Sequence, residues 1–552
     1  MYTYILTRFF SNFIPYSFIG LSFLFISCTK KQADFIVYNA TIYTVNEKFE
    51  VAHVAVVKDG KFIAVGGDSL LSLYEATNKV DAKQQFIYPG FIDAHCHFTG
   101  YSLDQYKLNL YGTKSFNEIV AKIIEYAKTN QRTWIEGRLW DQHDWEGKRF
   151  PTKDTLDKLF PSTPIFLMRI DGHAVLCNQK ALDLAHITDT TSVEQGVIEK
   201  RQGKLTGILI DKAVSLVQKV IPSVDKELAS TYFGQTEKEC FSVGLTSVVD
   251  CGLENDWVKW LQYAFEHKGL KVRIAGMLMN DEKNIQEYLH QEPLWNDQFH
   301  LIGFKVFADG SLGSRGAHLL QEYQDQHGHT GYALISVAEL KKLTQQVIQS
   351  KYQLNIHAIG DATNHEALTL YSEVLTSNND RRWRIEHAQL IAPEDFSIFG
   401  RYHIIPSVQP THATSDMSWV EQRIGAHRMP YAYAYQNLLK QNDWLPLGTD
   451  FPVEPLNPLG TFYAAVFRQD EHQLPVEGFQ MSNALTREQA LRGMTIWAAK
   501  SVFEENKKGS IEVGKMADFV ILPLDIMKAS SKEIIHAKVL ATYLGGEKVY
   551  SK

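Results

Sequence analysis

The segment Asp93-Ala94-His95-Cys96-His97 places two imidazoles two residues apart. It ends an apolar run that predicts one buried strand beginning at Phe86 and continuing through residue 92. On a strand, side chains two residues apart lie on the same face, so both rings can reach one metal ion. Neutral imidazole is the commonest side-chain metal ligand, and two of them make half of a typical zinc shell. Taken alone, the pair also fits two polar residues beside a loop.

Four further strand-like runs end in a side chain that could join this pair. In a (β/α)8 barrel the carboxyl ends of the strands form the active face. Chance readily supplies one such strand end, but not all of them in order along the chain. The pattern therefore predicts that the side chains meet at the mouth of a barrel. The four are Lys305 after 301–304, His357 after 352–356, His387 after 382–386 and Asp450 after 444–449.

These motifs resemble those of the amidohydrolase superfamily. The closer resemblance is to its branch of N-substituted formamide deformylase-like and YtcJ-like hydrolases. It extends from about Ala33 to the C-terminus, and the stretch Asp-Gly-Ser-Leu-Gly-Ser-Arg-Gly-Ala at 309–317 is typical of the branch. The residues that carry the resemblance are 90–97, 303–317, 357–361, 385–388 and 448–450.

The resemblance implies a centre of one or two divalent ions, with zinc the expected metal. His95, His97 and Asp450 would hold one ion, and His357 and His387 a second. Lys305 is an unusual ligand because an ammonium group repels a cation. In the family this lysine is carbamylated, and the resulting carboxylate bridges both ions. The alternative for Lys305 is a salt-bridged lysine at a strand end, and without carbamylation the site would hold one ion.

The implied chemistry is hydrolysis by water rather than by a nucleophilic side chain. A divalent ion lowers the pKa of a coordinated water from 15.7 to roughly 7 and polarises a carbonyl. Asp450 is then the expected catalytic group that takes the proton from water and returns it to the leaving amine. His173, in Asp171-Gly172-His173, is a second catalytic candidate that would polarise the substrate carbonyl, with a structural histidine as the alternative. The sequence has no nucleophile elbow, P-loop or dinucleotide fingerprint.

Three further residues are candidates for substrate binding. Trp140 could form an aromatic pocket wall, although aromatic residues in an insertion more often belong to its core. Arg315 could bind an anionic or carbonyl group, with a salt bridge as the alternative. Gln409 follows the seventh strand candidate and could face the pocket. Asp309 and Asp361 are expected to order loops rather than to bind metal.

The N-terminus predicts export. Residues 9–27 are strongly apolar, and Cys28-Thr29-Lys30-Lys31 follows them. Residues 24–28 resemble a bacterial lipoprotein signal, in which Cys28 is lipidated and anchors the mature chain to the cell envelope. The alternative is an uncleaved transmembrane anchor, which Pro15 disfavours. Either interpretation places the catalytic body outside the cytoplasm.

The organisation along the chain predicts an α/β fold with a (β/α)8 barrel over residues 89–504. An insertion at about 99–228 follows the first barrel strand and carries two further strand candidates, 134–139 and 165–170. Both chain ends, 34–88 and 505–552, are rich in short strands, and the family resemblance implies that they form a small β-sandwich. The eight barrel strands are expected at 90–95, 245–250, 272–277, 302–307, 354–357, 383–387, 403–408 and 445–450, with helices such as 337–351 and 361–375 between them.

The composition is that of a large globular protein, with 552 residues of which 45% are hydrophobic and 22% charged. A net charge of -7 and the lack of a basic stripe argue against a nucleic-acid partner. The sequence therefore predicts a metal-dependent hydrolase that cleaves an amide- or formamide-type carbon–nitrogen bond in a small molecule. The alternatives are hydrolysis of a cyclic imide or ester at the same site, or a non-catalytic surface-binding lipoprotein. A homodimer is compatible with each of these interpretations.

Overall fold

The computed structural model describes residues 30–129, 133–169, 174–193, 196–222 and 224–552. Cys28 and His173 lie outside the described residues, so their expected roles stay predictions. No helix within the described ranges is long and apolar enough to cross a bilayer.

A parallel sheet curls into a nearly closed barrel. Within the described part of the chain it has seven strands, and each neighbour in the sheet is also the next barrel strand in sequence. The strands are almost wholly buried on both faces, as expected for a parallel sheet covered by helices. They are Phe91–Cys96, Leu245–Leu253, Arg273–Met279, Phe299–Phe307, Gln353–Ala358, Arg384–His387 and Ile405–Ser407.

The prediction of an eighth strand at 445–450 is wrong, although the segment lies where the barrel closes. Leu447 forms an isolated parallel bridge with Val408, and its carbonyl accepts a 3.1 Å hydrogen bond from the Ala94 amide. Pro446 has no N–H to donate to a ladder, and Asp450 has a φ of 64°, outside the strand region. The segment therefore joins the last strand to the first without forming a continuous strand.

The single strand predicted over residues 86–92 is two strands in two sheets. Phe86–Pro89 belongs to a sheet built from the chain ends, and Phe91–Cys96 is the first barrel strand. Gly90 joins them where the backbone passes Thr246 so closely that a Cβ would lie 2.3 Å from its Oγ1. The apolar run is continuous because both strands are buried.

The chain ends form two sheets beside the barrel. The described residues place four strands in one sheet and six in the other. Phe35 and Val57 of the first sheet share an apolar cluster with Ile87, Phe519 and Tyr543 of the second. The strands are Lys31–Tyr38, Val54–Lys58, Lys61–Gly66 and Tyr74–Asp81, then Thr41–Tyr43, Val51–Ala52, Phe86–Pro89, Phe519–Leu522, Ala541–Leu544 and Glu547–Ser551.

A further sheet lies in the chain between the first and second barrel strands. It includes both extra strands expected from sequence, each displaced by one residue at most, and it covers its own apolar clusters. Its strands in the described residues are Leu108–Asn109, Ile135–Trp140, Ile165–Arg169, Ala174–Cys177, Gly196–Arg201 and Lys204–Asp211.

Helices follow most barrel strands, as a βα alternation requires. The two helices expected from sequence begin at the predicted residues and end slightly earlier, at Val347 and Val374. The barrel and C-terminal helices are Phe98–Asp104, Lys226–Ser242, Asn255–His267, Glu282–Tyr288, Val337–Val347, Asp361–Val374, Phe396–Arg401, Pro410–Asp416, Val420–Ile424, Tyr435–Asn442, Pro458–Phe467, Arg487–Gly493, Ile496–Ser501 and Ser531–Ile535. The other helices are Leu70–Leu73, Phe116–Thr129, Asp154–Leu159, Gln179–Leu184 and Val214–Gln218.

Candidate metal centre

The predicted ligand side chains meet at the carboxyl end of the barrel strands. Asp450 Oδ1 lies 3.4 Å from His95 Nε2 and 3.2 Å from His97 Nε2. The His387 ring centroid is 4.8 Å from that of His95 and 4.5 Å from that of His357. Donor atoms of His95, His387 and Asp450 all lie within 4.8 Å of one another. The strand ends therefore bring together side chains that are far apart in sequence.

The two histidines of the later strands are held in the neutral form. Burial lowers the pKa of His357 to about 3, and the nearby Lys305 charge adds to that effect. Burial, reinforced by His357, also lowers the pKa of His387 well below its usual value. A neutral imidazole is the state that binds a metal.

Several polar atoms of this cluster are buried and form no hydrogen bond within the described part of the chain. Among the described residues, no hydrogen bond reaches either ring nitrogen of His357, Nδ1 of His387 or Oδ1 of Asp450. Burial alone raises the pKa of Asp450, but His95 and His97 more than offset this and hold it well below the usual range. An ionised carboxylate beside unpaired imidazole nitrogens is costly to bury unless a cation satisfies them. The residues present therefore fit a divalent metal.

The backbone around the site adopts sparsely populated conformations. His387 has a φ of 74° and Asp450 a φ of 64°, both in the left-handed region. At Gly448 a Cβ would lie 2.5 Å from the backbone nitrogen of His95, so only glycine allows this approach. Such conformations persist where the surrounding structure imposes them, commonly at functional sites.

A buried ion pair lies behind His95. The Nδ1 atom of His95 forms a very short contact with Glu386 Oε2, and that oxygen also accepts a 3.1 Å hydrogen bond from Arg384. Arg384 donates further to the Ala94 carbonyl and Ser407 Oγ, at 2.6 and 2.7 Å. Although burial raises the pKa of Glu386, Arg384 and His95 hold it below its usual value. Glu386 therefore accepts from Nδ1 and leaves Nε2 of His95 free toward the site.

Asp93 anchors the loop that carries Asp450. It accepts hydrogen bonds from Thr449 Oγ1 and N, at 2.6 and 2.9 Å, and from the His95 amide at 3.1 Å. Burial raises its pKa to about 7, and the hydrogen bonds from Thr449 oppose that rise. These bonds join the first barrel strand to the segment that closes the barrel, and so fix the relative placement of His95 and Asp450.

Lys305 is fully buried inside the barrel, on the strand Phe299–Phe307. Its Nζ lies 3.4 Å from His95 Nε2 and 4.9 Å from the centroid of the Phe307 ring. The structure thus brings Lys305 to the predicted metal shell. Its carbamylation stays a prediction.

Sequence reasoning missed His412. It lies on the helix Pro410–Asp416, directly after the seventh strand. Its Nε2 is 3.4 Å from Asp450 Oδ2, and its ring lies parallel to that of His387 at a centroid distance of 5.7 Å. The signal was present as Gln409-Pro410-Thr411-His412, where proline after a strand marks the start of a helix at the barrel mouth.

The candidates for substrate contact differ in their surroundings. Gln409 is buried, and its Oε1 has no hydrogen-bond partner among the described residues. Arg315 forms a two-pronged ion pair with Asp325, at 3.0 and 2.9 Å. Trp140 is 1% exposed, stacks on Trp145 and donates to the Leu167 carbonyl at 2.7 Å. This favours the salt bridge for Arg315 and core packing for Trp140 over the substrate contacts expected of them.

Asp309 and Asp361 have the structural roles expected from sequence, and Cys96, between His95 and His97, also packs in the structure. Asp309 accepts from the amides of His318, Ile359 and Gly360 at 2.8–3.0 Å, and Asp361 accepts from that of Leu320 at 2.9 Å. Both therefore order the loops above the barrel. Cys96 is buried in the apolar cluster around the barrel and donates to the Val249 carbonyl.

A groove of about 800 Å³ lies beside the site. It is lined in part by Thr411, Ser415, Glu454 and Tyr463. Thr411 adjoins His412, and Ser415 donates a 2.7 Å hydrogen bond to Glu454. The volume is that of a small-molecule pocket.

Comparison with known proteins agrees with this geometry. The model of the amidohydrolase family matches residues 79–550. The protein LONG AFTER FAR-RED 3 of Arabidopsis thaliana is 32% identical, with 94% of this chain and 92% of that protein aligned. The amidohydrolase YtcJ of Bacillus subtilis is 28% identical, with 93% of this chain and 98% of that protein aligned. The N-substituted formamide deformylase of Arthrobacter pascens is 24% identical, with 95% of this chain and 99% of that protein aligned.

A solved structure shares the architecture. The crystal structure of an uncharacterized metal-dependent hydrolase from Pyrococcus furiosus superposes with a TM-score of 0.76 and 25% identity. The match covers 90% of this chain and 100% of that one. These likenesses confirm the resemblance inferred from the strand-end motifs. The chain belongs to the amidohydrolase family.

Proposed function

We propose that this protein is a metal-dependent hydrolase that cleaves an amide- or formamide-type carbon–nitrogen bond in a small molecule. The observation that carries the proposal is the buried group of imidazole nitrogens around the ionised Asp450 at the barrel mouth. A relative named for deformylation of N-substituted formamides, aligned over 95% of this chain, favours the carbon–nitrogen bond. The adjacent groove of about 800 Å³ suits a small substrate.

His95, His97 and Asp450 would hold one divalent ion, with zinc as the proposed metal, and His357 and His387 would hold a second. Lys305, once carbamylated, would supply a further carboxylate ligand. When bound, such an ion supplies Lewis-acid chemistry, because it polarises a carbonyl and acidifies a coordinated water.

The side chains of this chain divide the remaining work. Asp450 accepts a proton from the attacking water and delivers it to the leaving nitrogen, which a neutral amine needs in order to depart. Glu386 keeps the proton of His95 on Nδ1, so that Nε2 retains its lone pair. Gln409, with its buried unpaired Oε1, would accept a hydrogen bond from a substrate N–H. His173 remains a candidate for polarising the substrate carbonyl.

The N-terminal segment is proposed to export the chain and to anchor it through a lipid on Cys28 at the bacterial cell envelope. A Cys28→Ser variant tests this, because it should release the protein from membranes or block its processing. Unchanged membrane fractionation in that variant would instead favour an uncleaved anchor helix. The two terminal sheets are proposed to form the small β-sandwich domain of residues 34–88 and 505–552. A homodimer is proposed as the assembly to test by light scattering.

The experiment for the proposed function is turnover on a matched panel of N-substituted formamides, acyl-amines, cyclic imides and carboxylic esters. The metal-loaded protein should hydrolyse the formamides or acyl-amines with the highest kcat/KM, and chelation should abolish the activity. Preference for imides or esters would contradict the bond type but not the hydrolase. Full metal content with no turnover on any member would favour a binding protein.

A further inference from the structure

His412 is a histidine at the metal centre with no role in the chemistry derived above. Its side chain is 12% exposed, and its Nε2 is buried without a hydrogen-bond partner among the described residues. That nitrogen lies 3.4 Å from Asp450 Oδ2. A buried, unpaired polar nitrogen beside the carboxylate that moves the proton calls for a functional explanation.

The two oxygens of Asp450 face different groups. Oδ1 lies 3.4 and 3.2 Å from the Nε2 atoms of His95 and His97, whereas Oδ2 faces His412. Rotation about the terminal bond of an aspartate is broad, so the side chain alone does not fix the orientation of its carboxylate plane. A donor on Oδ2 would fix it.

The geometry argues against His412 as another metal ligand. Its Nε2 lies on the Oδ2 side of the Asp450 carboxylate, whereas the Nε2 atoms of His95 and His97 lie on the Oδ1 side. The rings of His412 and His387 are nearly parallel, at an interplanar angle of 14°, so they lie side by side with 5.7 Å between their centroids. His412 therefore occupies the far side of the carboxylate from His95 and His97.

The helix that carries His412 is packed against the rest of the fold. The helix Pro410–Asp416 begins with proline, and its Ala413 and Thr414 are buried. The carbonyl of Gln409, which precedes it, accepts a 3.1 Å hydrogen bond from the Tyr435 hydroxyl. A positioning group must itself be held in place, and this helix meets that condition.

We propose that His412 is a positioning residue for Asp450. It donates from Nε2–H to Oδ2, which directs Oδ1 toward the metal and holds Oδ2 for proton transfer. The 3.4 Å separation exceeds the usual 2.7–3.2 Å of such a bond. Hydrogen bonds of this kind commonly tighten once the reactive complex forms. The inference rests on the proposed function for its kinetic consequence but not for its geometry.

The first test is a crystal structure of the zinc-loaded protein. It should show His412 Nε2 at hydrogen-bond distance from Oδ2 and Asp450 bound to zinc through Oδ1. Zinc bound to His412, or a separation above about 4 Å, which is beyond any hydrogen bond, would overturn the proposal. This measurement decides the matter even if the protein hydrolyses nothing on the panel, an outcome that would count against the proposed function alone.

The second test compares His412→Phe with His412→Gln, whose amide keeps an N–H donor. His412→Phe should lower kcat by about 10- to 100-fold, the effect of one hydrogen bond to a charged group, with KM and zinc content little changed. His412→Gln should recover most of that loss. Equal loss in both variants, zinc loss in His412→Phe, or unchanged kcat in it would each refute a donor role. His365→Gln is the control, because His365 lies on the helix Asp361–Val374 and pairs with Asp395 outside the metal cluster.

Discussion

Replacing Glu386 with glutamine should weaken metal binding without touching a predicted ligand. In the protein, Glu386 Oε2 accepts hydrogen bonds from both His95 Nδ1 and Arg384 Nη2, while Glu386 Oε1 lies 2.6 Å from Arg384 Nε. Glutamine offers one oxygen and one NH2 group, so an N–H donor must then face either Arg384 or His95. The buried guanidinium, which is fully enclosed, should claim the oxygen.

The amide NH2 would then face Nδ1 of His95. An imidazole beside a donor takes the tautomer that accepts there, which moves its proton to Nε2 and removes the lone pair needed for the metal. Loss of such an orienting partner typically costs 10- to 100-fold in metal affinity, or about 1.4–2.8 kcal/mol. We therefore expect the zinc Kd of Glu386→Gln to rise by that factor.

Competition with a chromophoric chelator measures this Kd. The matched variant Glu504→Gln separates a change in metal affinity from a loss of stability. Glu504 is also a buried glutamate, paired with Lys508 at 2.5 Å near the opposite ends of the strands, beside His300. Breaking either buried pair should lower the free energy of unfolding by about 3–5 kcal/mol. Only Glu386→Gln should change the zinc Kd. If the zinc Kd of Glu386→Gln stays within about twofold of wild type, well below the expected loss, the orienting role is refuted.

Three further predictions concern the reaction, the pH dependence and the fold. Asp450→Asn should lower kcat by about 10²–10⁴-fold or more, because the asparagine amide cannot take a proton. Elemental analysis should find much of the metal retained, because the amide oxygen can still bind it. Near-normal turnover would show that another residue is the base, and His173 would be the next candidate. Burial lowers the pKa of His300 from 6.5 to about 4, so the unfolded chain binds more protons between these values and stability should fall by on the order of 3 kcal/mol as pH drops from about 6.5 to 4. Urea unfolding of wild type and His300→Phe at pH 7 and 5 measures this, and equal pH slopes would contradict it. Gly90→Ala should lower the free energy of unfolding by about 1–3 kcal/mol, because the added Cβ would contact Thr246. A Gly90→Ala/Thr246→Ala double variant removes the contacting atoms and should recover part of that loss. No recovery would show that the strain lies elsewhere.

The strand-end motifs were enough to predict where most of the site forms. A barrel collects the carboxyl ends of its strands at one mouth, so His357, His387 and Asp450 meet His95 although it lies hundreds of residues earlier in the chain. The order of the predicted ligands along the chain thus indicated both the barrel architecture and the family. Their binding of a metal stays a prediction.

Hydrophobic pattern alone could not resolve the strand boundaries at both ends of the barrel. Residues 86–92 are apolar throughout because two successive strands are each buried, and nothing in the run shows that they belong to different sheets. Pro446 and the positive φ of Asp450 interrupt the eighth strand, although its residues look like those of a strand. In both places tertiary packing decides what periodicity leaves open.

Side-chain partners at long sequence separation were also beyond a single sequence. Glu386 was part of a quoted motif, but its partner His95 lies 291 residues earlier. His412 lies in the first turn of a helix, and nothing in the local sequence shows that its ring lies beside Asp450. Trp140 could equally have lined a pocket or filled the core of the insertion, and the same composition serves both.

The central claim is that hydrolysis depends on a metal held by the strand-end cluster. The most direct measurement is a titration of the metal-free protein with zinc, following turnover of its best formamide or acyl-amine substrate against zinc bound per chain. Turnover should rise from zero in proportion to bound zinc and level off at one or two ions per chain, and a His95→Ala/His387→Ala variant should neither bind that zinc nor gain activity. Full turnover by the metal-free protein, or by this variant, would contradict the claim.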